Sequence, residues 1–112
     1  AYIGGTTTAT STLHVGGSFA TAIVTKTANY TLTATDHIVL CGTNSTTQTL
    51  PTAVGIAGRE YIIKNISAVT TTLATTSSQT IDGSTPSTYN LTTQWQRIKV
   101  VSDGANWLIL NQ

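Results

Sequence analysis

Hydrophobic and polar residues alternate along short stretches of this chain, and turn-forming residues separate those stretches. Residues 30–33 alternate between large apolar side chains and threonine, which is typical of a strand with one buried face. Residues 60–65 have large apolar side chains at the centre and charged ends, and they form the clearest predicted strand. No apolar period of 3.6 residues is sustained, so the pattern does not predict helices.

Turn signals separate these runs about every 8–12 residues. Asp82 and Asp103 are each followed by glycine, a pair that strongly indicates a turn. Asp103 lies between apolar runs at residues 96–102 and 107–110, which predicts a hairpin that closes the domain. The pattern therefore predicts about eight strands in an all-β fold. We expect an antiparallel β-sandwich or a jelly-roll-like domain, and an intertwined prism stays open.

The first residues of the chain differ from the rest. Residues 1–19 are rich in glycine and threonine and poor in large apolar side chains. A segment of this kind cannot form its own core. We expect it to be an extended linker, a shaft segment or a strand that pairs with another chain, followed by a β domain over residues 20–112.

Composition points to assembly. Of the 112 residues, 8% are charged, against about 25% in typical soluble domains. About one residue in four is threonine, which favours strands and solvates an exposed face without charge. Such a chain is suited to persistence outside the cell or to packing among copies. We therefore expect a homo-oligomer.

Several partners and cofactors are not expected. The net charge is +1 and no basic run is present, so the footprint of a nucleic-acid-binding protein is missing. No apolar stretch approaches the roughly 20 residues that span a bilayer, and membrane insertion is not expected. Cys41 follows an apolar run and is predicted to be a buried, inert thiol. The spacing of ligand residues predicts neither a metal site nor a cofactor.

Residues suited to catalysis are few. The acids are Asp36, Glu60, Asp82 and Asp103, and the histidines are His14 and His37. The aspartates of the two Asp-Gly pairs are explained by turns, and Asp36 and His37 are neighbours that point to opposite faces of a strand. No nucleophile-elbow pattern is present. We therefore predict that the chain is not an enzyme.

One cluster has the composition of a sugar-binding surface. Aromatic faces together with amide groups are the side chains that contact carbohydrates. The densest group of this kind comprises Tyr89, Asn90, Gln94, Trp95 and Gln96. The alternative interpretation is that Trp95 packs in the core or at a subunit interface, and core packing is also expected for Trp107.

Several short motifs of the chain resemble those of bacteriophage tail fibres and related fibre proteins. One is the glycine-containing lead-in at residues 11–20. The others are Leu50 with Pro51, residues 58–65, residues 81–83 and residues 102–107. The resemblance implies an elongated, β-rich homotrimer, in some cases with a receptor-binding tip. It also implies a location in a virion or outside the cell, with other virion or fibre proteins as partners.

The predicted function is that of a structural subunit of an extracellular fibre, of the phage tail- or head-fibre type, which serves host attachment. A first alternative is a filament subunit that polymerises when residues 1–20 insert as a strand into a neighbouring copy. A second alternative is a carbohydrate-binding module that contacts a cell-surface glycan through Trp95.

Overall fold

A computed structural model describes residues 2–3, 8–9, 11–84 and 87–112, and these residues form strands and loops without a helix. The all-β prediction is confirmed. The strands are β1 (Tyr2–Ile3), β2 (His14–Val15), β3 (Ile23–Lys26), β4 (Tyr30–Thr31), β5 (Ile38–Cys41), β6 (Thr46–Thr49), β7 (Glu60–Asn65), β8 (Thr71–Ala74), β9 (Thr88–Leu91), β10 (Arg97–Ser102) and β11 (Trp107–Asn111).

Two larger sheets are built from successive turns of the chain. One has five strands in the order β11-β10-β7-β5-β3, and the other has four in the order β4-β6-β8-β9. The pairs β3 with β4, β5 with β6, and β7 with β8 each place one strand in the first sheet and the next in the second. We call these three pairs coils. Strands of neighbouring coils are parallel within each sheet.

The corners of the coils are stacked as well. The amide of Gly42 donates to the carbonyl of Lys26 over 3.3 Å, and the amide of Ile66 donates to the carbonyl of Cys41 over 2.8 Å. At the other corner the amide of Leu50 donates to the carbonyl of Ala74 over 2.8 Å. Backbone groups that leave the strands are therefore paired between coils, as burial requires.

The prediction of an antiparallel domain is wrong. Four of the seven pairings in the two larger sheets are parallel, and only β7 with β10, β10 with β11, and β8 with β9 are antiparallel. Alternation predicts which side chains are buried, but the period of two is the same for either strand direction. The turn cluster at residues 42–45 joins β5 to β6 in the opposite sheet instead of forming a hairpin.

The core lies between the two sheets, because one cluster of buried side chains takes members from both. Its centre is the contact between Tyr61 and Trp107, whose ring centroids are 5.7 Å apart and tilted by 48°. The indole nitrogen of Trp107 donates to the carbonyl of Pro51, and the hydroxyl of Tyr61 donates to the carbonyl of Thr33. The polar group of each of these two buried aromatic side chains thus has a hydrogen-bond acceptor. The predicted burial of Trp107 and Cys41 is confirmed.

The predicted closing hairpin is also confirmed, as β10 and β11 are antiparallel neighbours. One carboxylate oxygen of Asp103 accepts hydrogen bonds from the amides of Ala105 and Asn106, at 2.9 and 2.7 Å. Gly104 adopts a φ of +99°, which costs little only for glycine. The Asp-Gly pair therefore forms the turn that the sequence predicts, because the Asp side chain bonds to the backbone of the turn and Gly accepts the positive φ.

The N-terminal segment contributes a separate pair of strands. β1 and β2 are parallel, with Tyr2 opposite His14 and Ile3 opposite Val15, and they form a two-stranded sheet of their own. Leu13 and Phe19 are exposed. The division between an extended segment at 1–19 and a domain at 20–112 stays a prediction.

Candidate binding surface

The five-stranded sheet has one face against the core and one outer face turned away from it. Alternation along each strand places Val39 and Ile63 inward and their neighbours outward. One outward row comprises Ile23, Ile38 and Ile62, which are in register across β3, β5 and β7. We call this row, with the half-buried Leu40 beside it, the apolar half of the outer face.

The other half of the outer face is cationic. Lys64 on β7 is paired in register with Arg97 on β10, and Ile62 is paired with Lys99. Lys99 forms a salt bridge with Glu60, with 3.1 Å between nitrogen and oxygen, and it is the only salt bridge in the described part of the chain. In that part of the chain, no carboxylate therefore lies at salt-bridge distance from Lys64 or Arg97. Like charges directly opposite in a sheet are unfavourable.

A small pocket lies beside these cations. Its lining is formed by Ile62, Arg97, Ile98, Lys99 and Asn111, and its volume is about 100 Å³. The pairing of β10 with β11 shifts register between Lys99 and Val100, which opens the sheet at this point. A space of this size accepts a few water molecules or one small substituent. The lining thus combines apolar with cationic residues.

Trp95 rises from the loop between β9 and β10. Its side chain is 58% exposed, and its φ of +72° is uncommon for a bulky residue. The amide of Trp95 donates to the carbonyl of Asn65 over 2.7 Å. The ammonium of Lys64 lies 6.0 Å from the centroid of the indole ring. The ring therefore adjoins the cationic half of the outer face.

The loop that carries Trp95 is held at several points. The side-chain oxygen of Gln96 accepts hydrogen bonds from the amides of Thr92 and Thr93, at 2.8 and 3.2 Å. Asn65 is fully buried, and its amide nitrogen donates to the carbonyls of Val69 and Leu91. Together with the bond from the amide of Trp95 to Asn65, these bonds fix the backbone of the loop to β7.

The residues predicted to contact sugar do not all share one surface. Tyr89 is half-buried against the core, and its hydroxyl is hydrogen-bonded to Gln112. Asn90 points to the opposite face of β9, where it accepts a hydrogen bond from Thr72. Gln96 braces the loop. Gln94 and Trp95 are exposed, so Trp95 does not pack in the core of its own chain, and its packing at a subunit interface stays a prediction.

Sequence reasoning missed the cations at Lys64, Arg97 and Lys99. The signal was present, because all three alternate with buried apolar neighbours in predicted strands. Only the register of β7 with β10 brings them together. The register depends on tertiary pairing and not on local pattern.

Each of the four carboxylates has a structural partner. Asp36 accepts hydrogen bonds from the hydroxyl of Tyr30 at 2.6 Å and from the amide of Thr33 at 2.8 Å. Burial by itself raises the pKa of Asp36, but the hydrogen bonds from Tyr30 and Thr33 and the charge of Lys26 together lower it below its usual value. The remaining acids are held by a salt bridge (Glu60), by the amide of Ile109 (Asp82) and by the turn of the closing hairpin (Asp103).

Among the described residues, no group of three or more His, Cys, Asp or Glu side chains could hold a metal ion. The same part of the chain has no helix long and apolar enough to cross a membrane. No protein-family model matches the chain, and neither a curated protein nor a solved structure is significantly similar to it. The chain is therefore an all-β protein whose two larger sheets are mixed, and its exposed surfaces are the structural features that bear on function.

Proposed function

We propose that this chain is a structural module of an extracellular fibre, of the phage tail- or head-fibre type, which works as a homotrimer and serves host attachment. The observation that carries the proposal is the outward row of Ile23, Ile38 and Ile62. These side chains stand in register across three strands on the face that the core does not cover. The proposed location of this module is a virion or the cell exterior, with other virion or fibre proteins as partners.

The apolar half of the outer face favours contact between copies. Ile23 is 63% exposed although it lies at the end of an otherwise regular row. Contiguous apolar surface of this kind marks an interaction site more often than a lone exposed side chain does. A chain with few charges also has little electrostatic repulsion between copies. A second copy therefore offers the simplest cover for this row.

The first coil leaves strand edges open. Within the described residues, β3 pairs only with β5, and β4 pairs only with β6. An uncovered edge presents unpaired backbone groups and promotes association with another chain. This observation also favours the second candidate, a filament that polymerises when the N-terminal segment of a neighbour adds to the β3 edge.

The mass in solution tests the proposal. Light scattering is expected to give three chains for the 112-residue protein. Ile23→Glu places a charge on the apolar half at an exposed position and is expected to lower the mass. Val54→Glu is the matched control, since Val54 is 61% exposed in the loop between β6 and β7. A single-chain mass for the unmodified protein, or equal effects of both variants, would overturn the proposal.

Deletion of residues 1–19 separates the two candidates. A fibre module keeps its trimeric mass after this deletion, because the apolar half of the outer face is retained. A strand-exchange filament shows an open ladder of masses that collapses to single chains when the donor segment is removed. Retention of three chains supports the fibre module and excludes the filament.

A further inference from the structure

We infer that the cationic half of the outer face binds a saccharide that carries a carboxylate. Trp95 stacks on the sugar ring, and Lys64 and Arg97 bind the carboxylate. The inference rests on the proposed function in one respect, because host attachment requires a ligand on the cell surface. It is narrower than that function, since it names the ligand chemistry and the residues.

The positive charges of Lys64 and Arg97 are not compensated by a carboxylate of the described residues. The chain has 4 acidic and 5 basic residues, yet two of the basic ones are placed opposite each other without a carboxylate. Glu60 is already occupied by Lys99. An anion bound between Lys64 and Arg97 would form charge-assisted hydrogen bonds with both. A guanidinium and a carboxylate also match in geometry, which favours a carboxylate as the bound group.

Trp95 is exposed and adopts an unfavourable backbone conformation. A bulky residue with positive φ is strained, and such strain tends to persist where it serves a function. A glycine would fit this backbone without strain. The chain instead has its largest aromatic side chain there, 58% exposed on a braced loop. A loop whose backbone is already fixed loses little entropy when a ligand binds.

The pocket beside Arg97 limits the shape of the ligand. Its volume of about 100 Å³ is too small for a sugar ring but accepts a substituent of one. Asn111 lines the same pocket, and its amide is suited to hydroxyl groups. One aromatic ring with an amide and two cations is the composition of a site for an acidic sugar. Single-stranded nucleic acid is less well matched, because it requires successive aromatic platforms along a basic groove.

The two halves of the outer face are compatible with both roles. The apolar row ends at Ile62 on β7, whereas Lys64, Arg97 and Trp95 lie farther along β7 and on the β10 side. Copies in contact through the β3 side of the sheet leave the β10 side open. Each subunit of a trimer then presents one saccharide site.

Calorimetric titration of the oligomer of the 112-residue chain tests the inference. The probes are short oligomers of galacturonic acid and of sialic acid, each with its carboxyl methyl ester, and an oligothymidylate. Binding is expected for at least one acidic saccharide, weakened about tenfold or more by esterification because the charge-assisted bonds are lost. Absence of binding to both acidic sugars at millimolar concentration, equal binding of the esters, or equal binding of the oligothymidylate would overturn it.

Variants assign the residues. Trp95→Gly keeps the positive φ of the loop and is expected to abolish binding without lowering the melting temperature. Lys64→Gln and Arg97→Gln are each expected to weaken the acidic sugar about tenfold and to leave the weak binding of its ester unchanged. Arg59→Gln is the matched control, because it removes one positive charge outside the outer face. Equal losses in the control variant would show a general charge effect and overturn the assignment.

The same samples separate this inference from the proposed function. Light scattering of Trp95→Gly, Lys64→Gln and Arg97→Gln is expected to give the mass of the unmodified oligomer. A trimer that binds no acidic saccharide contradicts the saccharide site and is consistent with the fibre module. A single chain that binds an acidic saccharide contradicts the fibre module and is consistent with the saccharide site.

Discussion

Lys64 and Arg97 lie directly opposite each other in the antiparallel pairing of β7 with β10, and both belong to the outer face of the sheet. Arg97→Glu turns this like-charge pair into an opposite-charge pair. We expect the apparent free energy of unfolding to rise by about 0.2–1 kcal/mol, because cross-strand pairs contribute on this scale. Urea denaturation at fixed protein concentration and low salt measures the change.

Arg97→Gln is the intermediate control for this pair. It removes the repulsion without adding an attraction, so its stability should fall between those of the unmodified protein and Arg97→Glu. The differences should shrink as salt is added, since exposed charges are screened. A ranking in which Arg97→Glu is less stable than Arg97→Gln contradicts the pairing of Lys64 with Arg97.

Gly42 lies at the corner of the second coil, where the third coil passes close above it. A Cβ at this position would stand 2.8 Å from Cγ1 of Ile66. Gly42→Ala is therefore expected to destabilise the protein by about 1–3 kcal/mol, the usual cost of overpacking. Thermal or urea unfolding measures the loss.

Gly17→Ala is the matched control for Gly42, because nothing lies within 4 Å of a Cβ at residue 17. The double variant Gly42→Ala with Ile66→Ala should recover part of the lost stability, since the stability changes caused by substitutions at two residues in contact are not additive. Equal stability of the two glycine variants would show that the second and third coils are not stacked closely at this corner.

How much of this fold the sequence predicts depends on the kind of information involved. Short apolar runs between turn residues located β5, β7 and the hairpin of β10 with β11, because such runs are recorded locally in the sequence. Parallel stacking is recorded in contacts between distant residues, such as Gly42 with Ile66, and a turn-rich segment at 42–45 resembles a hairpin turn when viewed alone. The same limit applies to the candidate site. Trp95 was visible in the sequence, whereas its cationic neighbour Lys64 came from strand register.

Asp36 is expected to make stability depend on acid pH. Hydrogen bonds from Tyr30 and Thr33 outweigh burial and hold the pKa of Asp36 below its ordinary value. Its unfolded-state pKa is about 3.9, so the carboxylate stabilises the fold above that pH. This contribution is lost as the pH falls through the lowered folded-state pKa. Asp36→Asn should cost about 1 kcal/mol at neutral pH and flatten the decline below about pH 4.

Tyr30→Phe is the control for the Asp36 prediction, because it removes the hydroxyl donor and keeps the ring under the ammonium of Lys26. Its stability profile against pH should lie between those of the unmodified protein and Asp36→Asn. The measurement is urea unfolding at a series of pH values from neutral to strongly acidic. Parallel curves for all three proteins would show that Asp36 is not held by these bonds.

Cys41 reports on the inward register of the second coil. Its thiol is fully buried, and burial raises its pKa to about 11. At pH 8 roughly one thiol in a thousand is then ionised, against about one in four for an ordinary cysteine, and the thiolate is the reactive form. Alkylation by iodoacetamide, followed by mass spectrometry, should therefore be slow in the native protein and fast in urea.

Reaction of the Cys41 thiol requires opening of the coil, so the native alkylation rate should follow the stability of each variant, with Gly42→Ala faster than Gly17→Ala. Leu110→Cys in a Cys41→Ser background provides the positive control, because Leu110 is 54% exposed on β11, at the edge of the sheet away from β3. Native rates that are equal for Cys41 and for cysteine at position 110 would place Cys41 on the outer face and reverse the register of β5.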